Sequence, residues 1–212
     1  MPGKPTRAQL LVEGKNDLHV IWALCKQRQV AKTFSVEIPD EAESGGIEAL
    51  LKSIPVRLKI SGLRALGIVV DANQNLAGRW QAVCARLRQA GYENLPSQPD
   101  ADGFVITLTN RPKVGAWLMP DNQLPGMLEN FVTHLIPRGD PLALKAEACL
   151  QEIEEKGLNH YKPIHQPKAF IHTWLAWQEN PGIPMGQAIT AHILNHNEPL
   201  AMTFVNWLNR LF

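Results

Sequence analysis

The sequence predicts an α/β fold, a parallel central sheet flanked by helices that carries a helical C-terminal portion. Three observations predict it. Short apolar runs alternate with helically spaced segments through the first part of the chain. The run LGIVV at 66–70 is continuous and mostly β-branched, as in a strand buried on both faces of a parallel sheet. Towards the C-terminus the strand-like runs stop, and helical segments punctuated by Pro and Gly take over.

The elements follow in order. Residues 8–12 (AQLLV) form a compact apolar run that stops at Glu13 and Gly14, a first strand. Leu18, Ile21, Trp22 and Cys25 stand at helical spacing and predict a helix over 16–29. Residues 34–38 (FSVEI) alternate and stop at Pro39, a second strand. Gly45 and Gly46 open a helix through Ile47, Leu50, Leu51 and Ile54. After the strand at 66–70, Trp80, Val83, Cys84 and Leu87 share one side of a helix over 76–90, and Gly91 is well suited to end it. Residues 104–108 and 114–119 read as two adjacent strands. Strand-helix alternation of this kind implies right-handed crossovers.

Helices are then predicted over 127–136, 141–156, 167–178, 185–195 and 199–211. The expected division is an α/β domain over 1–125 and a helical portion over 126–212 packed on it, because the tail WLNRLF is too apolar to stay exposed. Trp174, Trp177 and Trp207 fall on apolar helical stripes and read as core. No internal repeat interrupts the pattern.

Composition narrows the function classes. With 212 residues, 45% hydrophobic and 19% charged, the chain is an ordinary globular one and not disordered, collagenous or coiled-coil. Lys+Arg 21 against Asp+Glu 20 leaves a formal charge of +1, so bulk charge gives no polyanion footprint and only a local basic patch stays open. No apolar run nears the roughly 18 residues of a membrane span, and the first residues lack a signal-peptide cleavage site. Cys25, Cys84 and Cys149 are odd in number and far apart, which argues against a disulfide framework and for the cytoplasm. The sequence holds no Gly-x-x-x-x-Gly-Lys-Ser/Thr, Gly-x-Ser-x-Gly or Cys-x-x-Cys.

Two of the apolar strands end in acid. The first runs into Glu13-Gly14-Lys15-Asn16-Asp17 and the third into Asp71-Ala72-Asn73. Sites in open parallel sheets form at the carboxyl ends of strands. If these two strands are neighbours, Glu13 and Asp71 converge at one edge. Carboxylates held close repel each other, burial raises the cost, and a divalent cation removes it. Oxygen ligands suit Mg²⁺ or Mn²⁺ and not zinc. Gly14 fits a sharp strand-to-helix turn, and the helix after it points its N-terminal dipole at the same edge, where a phosphate would lie.

Glu-Gly-x-x-Asp after a hydrophobic strand, with a second strand ending in Asp-x-Asp/Asn some fifty residues on, resembles the Toprim domain of topoisomerases, bacterial primases and overcoming-lysogenization-defect nucleases. The stretches Val114 to Asn122, Gly126 to Phe131 and Pro167 to Trp177 resemble a small Toprim-like family of prokaryotic proteins of unknown function, over nearly the whole chain. The resemblance implies a Toprim-like (Rossmann-like) sheet. It implies Glu13 as metal ligand or general acid/base and Asp71 as a Mg²⁺ ligand. Asp17 and Glu129 would be further ligands, and Lys168 would stabilise charge on the phosphate. Gly14 and Lys15, at the turn into the helix after the first strand, are the further residues expected at that phosphate. Asn73 departs from the pattern: an amide replaces the second aspartate, able to coordinate through its carbonyl oxygen but bringing no charge. Topoisomerase chemistry needs a nucleophilic tyrosine on another domain, and Tyr92 and Tyr161 are the only tyrosines here.

Each residue also has a plainer reading. Glu13 or Asp71 alone reads as a strand-end acid capping the next helix; the two together, after buried strands, read as a metal site. Asn16 could be an N-cap, with Asp17 a favourable first-turn charge. Asn73 and Asn75 suit turns. Glu129 follows Pro125-Gly126 as a helix-start charge would. Lys168 stands at a helix start, where a cation is mildly unfavourable. His192 and His196 are four apart on an expected helix but have no metalloprotease glutamate and read as ordinary, as do His160, His165 and His172 around Lys168. The expected activity is Mg- or Mn-dependent cleavage of phosphodiesters, with nucleic acid as partner. The alternatives are a non-catalytic nucleic-acid or nucleotide-binding module, and a subunit docking its helical part on a partner such as an ATPase-containing defence complex.

Overall fold

The computed structural model describes residues 7–39 and 46–212. Gly45, expected to open the second helix, lies outside the described residues. A five-stranded sheet forms the centre, in the order β2-β1-β3-β5-β4. Its strands are β1 (Ala8–Leu11), β2 (Ser35–Glu37), β3 (Ala65–Asp71), β4 (Phe104–Ile106) and β5 (Lys113–Met119). The first three and β5 run parallel, and β4 pairs antiparallel with β5. The crossovers carry helices α1 (Lys15–Gln27), α2 (Ile47–Arg57) and α3 (Leu76–Gln89). Beyond β5 lie α4 (Leu128–Thr133), α5 (Pro141–Glu155), α6 (Gln166–Ala176), α7 (Met185–Thr190) and α8 (Pro199–Leu211). None of the described helices is long and apolar enough to cross a membrane.

The period-two side-chain alternation of the strands splits the core into two layers. Leu66, Ile68 and Val70 of β3 pack with Leu50 and Ile54 of α2 and Val83 and Leu87 of α3. Ala65 and Val69 face the other way, against Ile21 and Leu24 of α1 and Trp207 and Leu208 of α8. This is why LGIVV has no polar position. On the α8 face the sheet is lowered by two glycines in register, Gly67 and Gly115. A Cβ at Gly115 would stand 2.8 Å from Leu211 Cδ2, and one at Gly67 3.0 Å from the same atom. Close helix-sheet approach therefore depends on both. Trp207 completes the seam by donating its indole N–H to the Phe104 carbonyl at 3.0 Å.

Several expected boundaries shift. α1 starts at Lys15 with Gly14 as its N-cap, so Asn16 is not the cap. The helix expected over 185–195 stops at Thr190, because His192 adopts φ 60 and breaks the helical path. His192 and His196 therefore do not share a helix turn, although their ring centroids are 5.3 Å apart. Trp174 and Trp207 are buried, but Trp177 is 40% exposed at the C-cap of α6 and is not core. Gly14 has φ -157, an extended conformation open to any residue, so no sharp turn demands the glycine there.

Candidate metal centre

The sheet brings the acids together. β1 and β3 are hydrogen-bonded parallel neighbours, with Leu11 in register with Ile68, so both chains leave the sheet at the same edge. Glu13 lies two residues past β1, and its Oε1 accepts the backbone N–H of Asp71 at 2.8 Å. Asp71 ends β3, and its Oδ1 accepts the backbone N–H of Leu128, the first residue of α4, at 2.9 Å. The next residue, Glu129, is thereby held at the same place and is buried. Asp17 reaches in from the first turn of α1 and is buried as well. Asp17 Oδ2 stands 3.5 Å from where a Cβ on Gly14 would be, an ordinary contact distance.

The electrostatics follow from this crowding. Burial raises the Asp17 carboxyl to about 7, with the neighbouring Glu13 and Glu129 charges adding to the rise. Burial raises Asp71 to about 8, with further contributions from Glu13, Asp17 and Glu129. Glu13 is raised by burial too, opposed by the Asp71 N–H and by the Arg79 guanidinium. A carboxyl buried beside like charges takes up a proton rather than stay ionised, unless a cation replaces it.

Two cations offset part of the charge. Lys168 Nζ, on the first turn of α6, stands 3.6 Å from Glu129 Oε1. The Lys168 side chain is 52% exposed, so its ammonium also meets solvent at the mouth of the site. Arg79 donates its Nε–H to the Asp71 carbonyl at 2.8 Å. The sequence reading passed over Arg79. The signal was there: an arginine in the first turn of the helix following an acid-tipped strand opposes the helix dipole, the same conflict that marks Lys168.

Glu13, Asp17, Asp71, Glu129 and Lys168 thus stand together. Asn73 turns away from the strand with φ 51 and is joined to Gly126 through its backbone N–H, at 2.6 Å from the Gly126 carbonyl. It lines an adjoining recess with Gln74, Asn75, Arg79 and Ile164. Asn75 is the N-cap of α3 and accepts the Gly78 N–H at 2.8 Å. Lys15 is exposed at the start of α1. His165 and His172 line a second recess with Lys168 and Tyr161, beyond the carboxylates.

The donor set is all carboxylate oxygen, the chemistry that Mg²⁺ and Mn²⁺ prefer. Among the described residues no group of three or more His, Cys, Asp or Glu side chains is arranged to hold a metal ion. The fit is one of donor chemistry and charge, not of a finished coordination shell.

A family model described as "Protein of unknown function (DUF3226)" matches residues 7–212. The chain belongs to this family. The match takes in both the sheet and the helical region, so β1, β3, α4 and α6, which build the acidic cluster, all lie within it. No curated protein and no solved structure matches the chain.

Proposed function

We propose that this DUF3226 chain is a Toprim-like, metal-dependent protein that cleaves phosphodiesters, most simply a nuclease. The observation that carries the reading is the convergence of Glu13, Asp17, Asp71 and Glu129 at one edge of adjacent parallel strands, with Asp17 and Asp71 raised to about 7 and about 8. The order of the acids, Glu-Gly-x-x-Asp after one strand and Asp-x-Asn after its neighbour, supports the Toprim-like part.

Glu13, Asp17, Asp71 and Glu129 would hold Mg²⁺ or Mn²⁺, which when bound supplies Lewis acidity toward a phosphoryl oxygen and lowers the pKa of water. The rest is done by the chain. Glu13 and Asp71 are each held through one carboxylate oxygen by a backbone N–H group. Lys168 holds an ammonium at the mouth, where it would hydrogen-bond a non-bridging phosphate oxygen and gain from the charge that builds there. Arg79 fixes the end of β3 and tempers the charge on Glu13. Asp17 and Asp71, raised to about 7 and about 8 without a cation, would give up their protons as a cation enters.

A second reading, a binding module without catalysis, draws on the amide at Asn73 and its position in the adjoining recess. One experiment separates them: incubation with labelled single- and double-stranded DNA and RNA in Mg²⁺, Mn²⁺ or EDTA. Metal-dependent cleavage that disappears in Glu13→Gln and Asp71→Asn is expected. Salt-sensitive binding without cleavage favours the binding module. Neither activity, with a partner co-purifying, points to a subunit role.

A further inference from the structure

The opposite edge of the sheet carries the opposite charge. β1, β3 and β5 are successive parallel strands, and their starting residues lie side by side. Arg7 precedes β1, Arg64 precedes β3, and Lys113 begins β5. The Arg64 N–H donates to the Arg7 carbonyl, and the Lys113 N–H donates to the Arg64 carbonyl at 2.8 Å. Three cations are thus brought to one edge of the sheet, with Lys113 in register with Ala65, one position on from Arg64.

Like charges held close are unfavourable, and a carboxylate ion pair or a bound anion relieves them. Arg57, Arg138, Lys156 and Lys168 have such carboxylate pairs. Among the described residues no carboxylate forms such a pair with Arg7, Arg64 or Lys113. The three line a recess of about 530 Å³ together with Thr33, Leu211 and Phe212. Its walls are firm. Phe212 stacks on Phe34 with centroids 4.0 Å apart, and Phe34 stacks on Trp22 in turn. Lys113 Nζ is anchored by donating to the Arg210 carbonyl. Arg7 and Arg64 are exposed, so their guanidinium groups are open to a ligand.

We infer that this recess at the start of β1, β3 and β5 binds a phosphate-bearing anion, held by Arg7, Arg64 and Lys113. Guanidinium forks match phosphate oxygens in pairs. The inference is independent of the carboxylate site, which lies past the other ends of the same strands.

Calorimetric titration in EDTA at low salt, with inorganic pyrophosphate and separately with a short oligothymidylate, tests it. Saturable binding of at least one probe is expected. Binding should weaken about tenfold or more in Arg7→Gln/Arg64→Gln, since each charged hydrogen bond lost is worth about that factor. It should be unchanged in Lys52→Gln/Lys145→Gln, which removes the same charge from exposed helix positions. Pyrophosphate binding would identify a small phosphate ligand, and oligothymidylate binding alone a nucleic-acid backbone. In the unaltered protein, bound probe should shift the amide resonances of Thr33 and Ala65. Absence of saturable binding by either probe overturns the inference. So does equal weakening in both double variants, or amide shifts confined to the residues around Asp71.

Discussion

The carboxylate of Glu13 accepts the backbone N–H of Asp71 at 2.8 Å, across two strands and 58 residues of sequence. This bond ties an acid on the turn after β1 to the end of β3, and it is made by a side chain and not by the sheet ladder. The amide Glu13→Gln keeps a carbonyl acceptor for that N–H, whereas Glu13→Ala leaves it unpaired. Glu13→Ala should therefore cost about 1–3 kcal/mol more in urea denaturation than Glu13→Gln. Equal losses in the two variants would show that the bond does not contribute.

Stability should fall as pH rises when no divalent cation is present. Asp17 and Asp71 are raised to about 7 and about 8 in the fold, far above the about 3.9 of an unfolded aspartate. A raised folded pKa means that the fold binds the proton more tightly than the unfolded chain does. The stabilisation is complete below about pH 4 and is lost progressively as pH climbs to about 8. Measured in EDTA, the melting temperature should drop by roughly 5 °C or more between pH 5 and pH 8.5. In Asp17→Asn/Asp71→Asn the drop should be much smaller. A melting temperature that rises over this interval contradicts the crowded-carboxylate account.

Lys168 should matter to function far more than to folding. Its contact with Glu129 is 3.6 Å, and its own side chain is 52% exposed, so the pair adds little to stability. Lys168→Ala should shift unfolding by less than about 1 kcal/mol. In the nuclease assay it should cut the cleavage rate by about tenfold to a hundredfold, with Lys168→Arg partly restoring it. A large loss of stability with intact cleavage would reassign the residue to structure.

Gly115→Ala should loosen the C-terminal helix. Its Cβ would meet Leu211 Cδ2 at 2.8 Å, on the face where α8 closes the sheet. The expected cost is about 1–3 kcal/mol, with earlier hydrogen exchange in residues of α8 than in β3. Unchanged exchange in α8 would mean that the helix adjusts without strain.

Much of this was legible from the chain. LGIVV reads as a strand covered on both faces, and the alternation around it points to a parallel sheet; that Glu13 meets Asp71 depended on β1 and β3 being neighbours, which the strand order supplies. Other features depend on tertiary contacts that no local pattern reports. Glu129 looked like a helix-start charge, yet α4 is docked on Asp71 through the Leu128 N–H, and this buries it. Trp177 sits on the same apolar stripe as Trp174, but α6 ends just before it and leaves it 40% exposed. Arg79 shows itself in the sequence only as a cation at the start of α3, and its partner, a backbone carbonyl, becomes visible once β3 and α3 are packed. The row of Arg7, Arg64 and Lys113 is scattered through the sequence and exists only once the strands are in register.

The most direct test of the central claim is calorimetric titration of Mn²⁺, with Mg²⁺ as competitor, into the full chain at pH 7.5. One or two saturable sites are predicted, with uptake lost or weakened about a hundredfold in Asp71→Asn and in Glu13→Gln, both still folded by circular dichroism. Absence of saturable uptake, or uptake that is the same in all three proteins, would contradict the account.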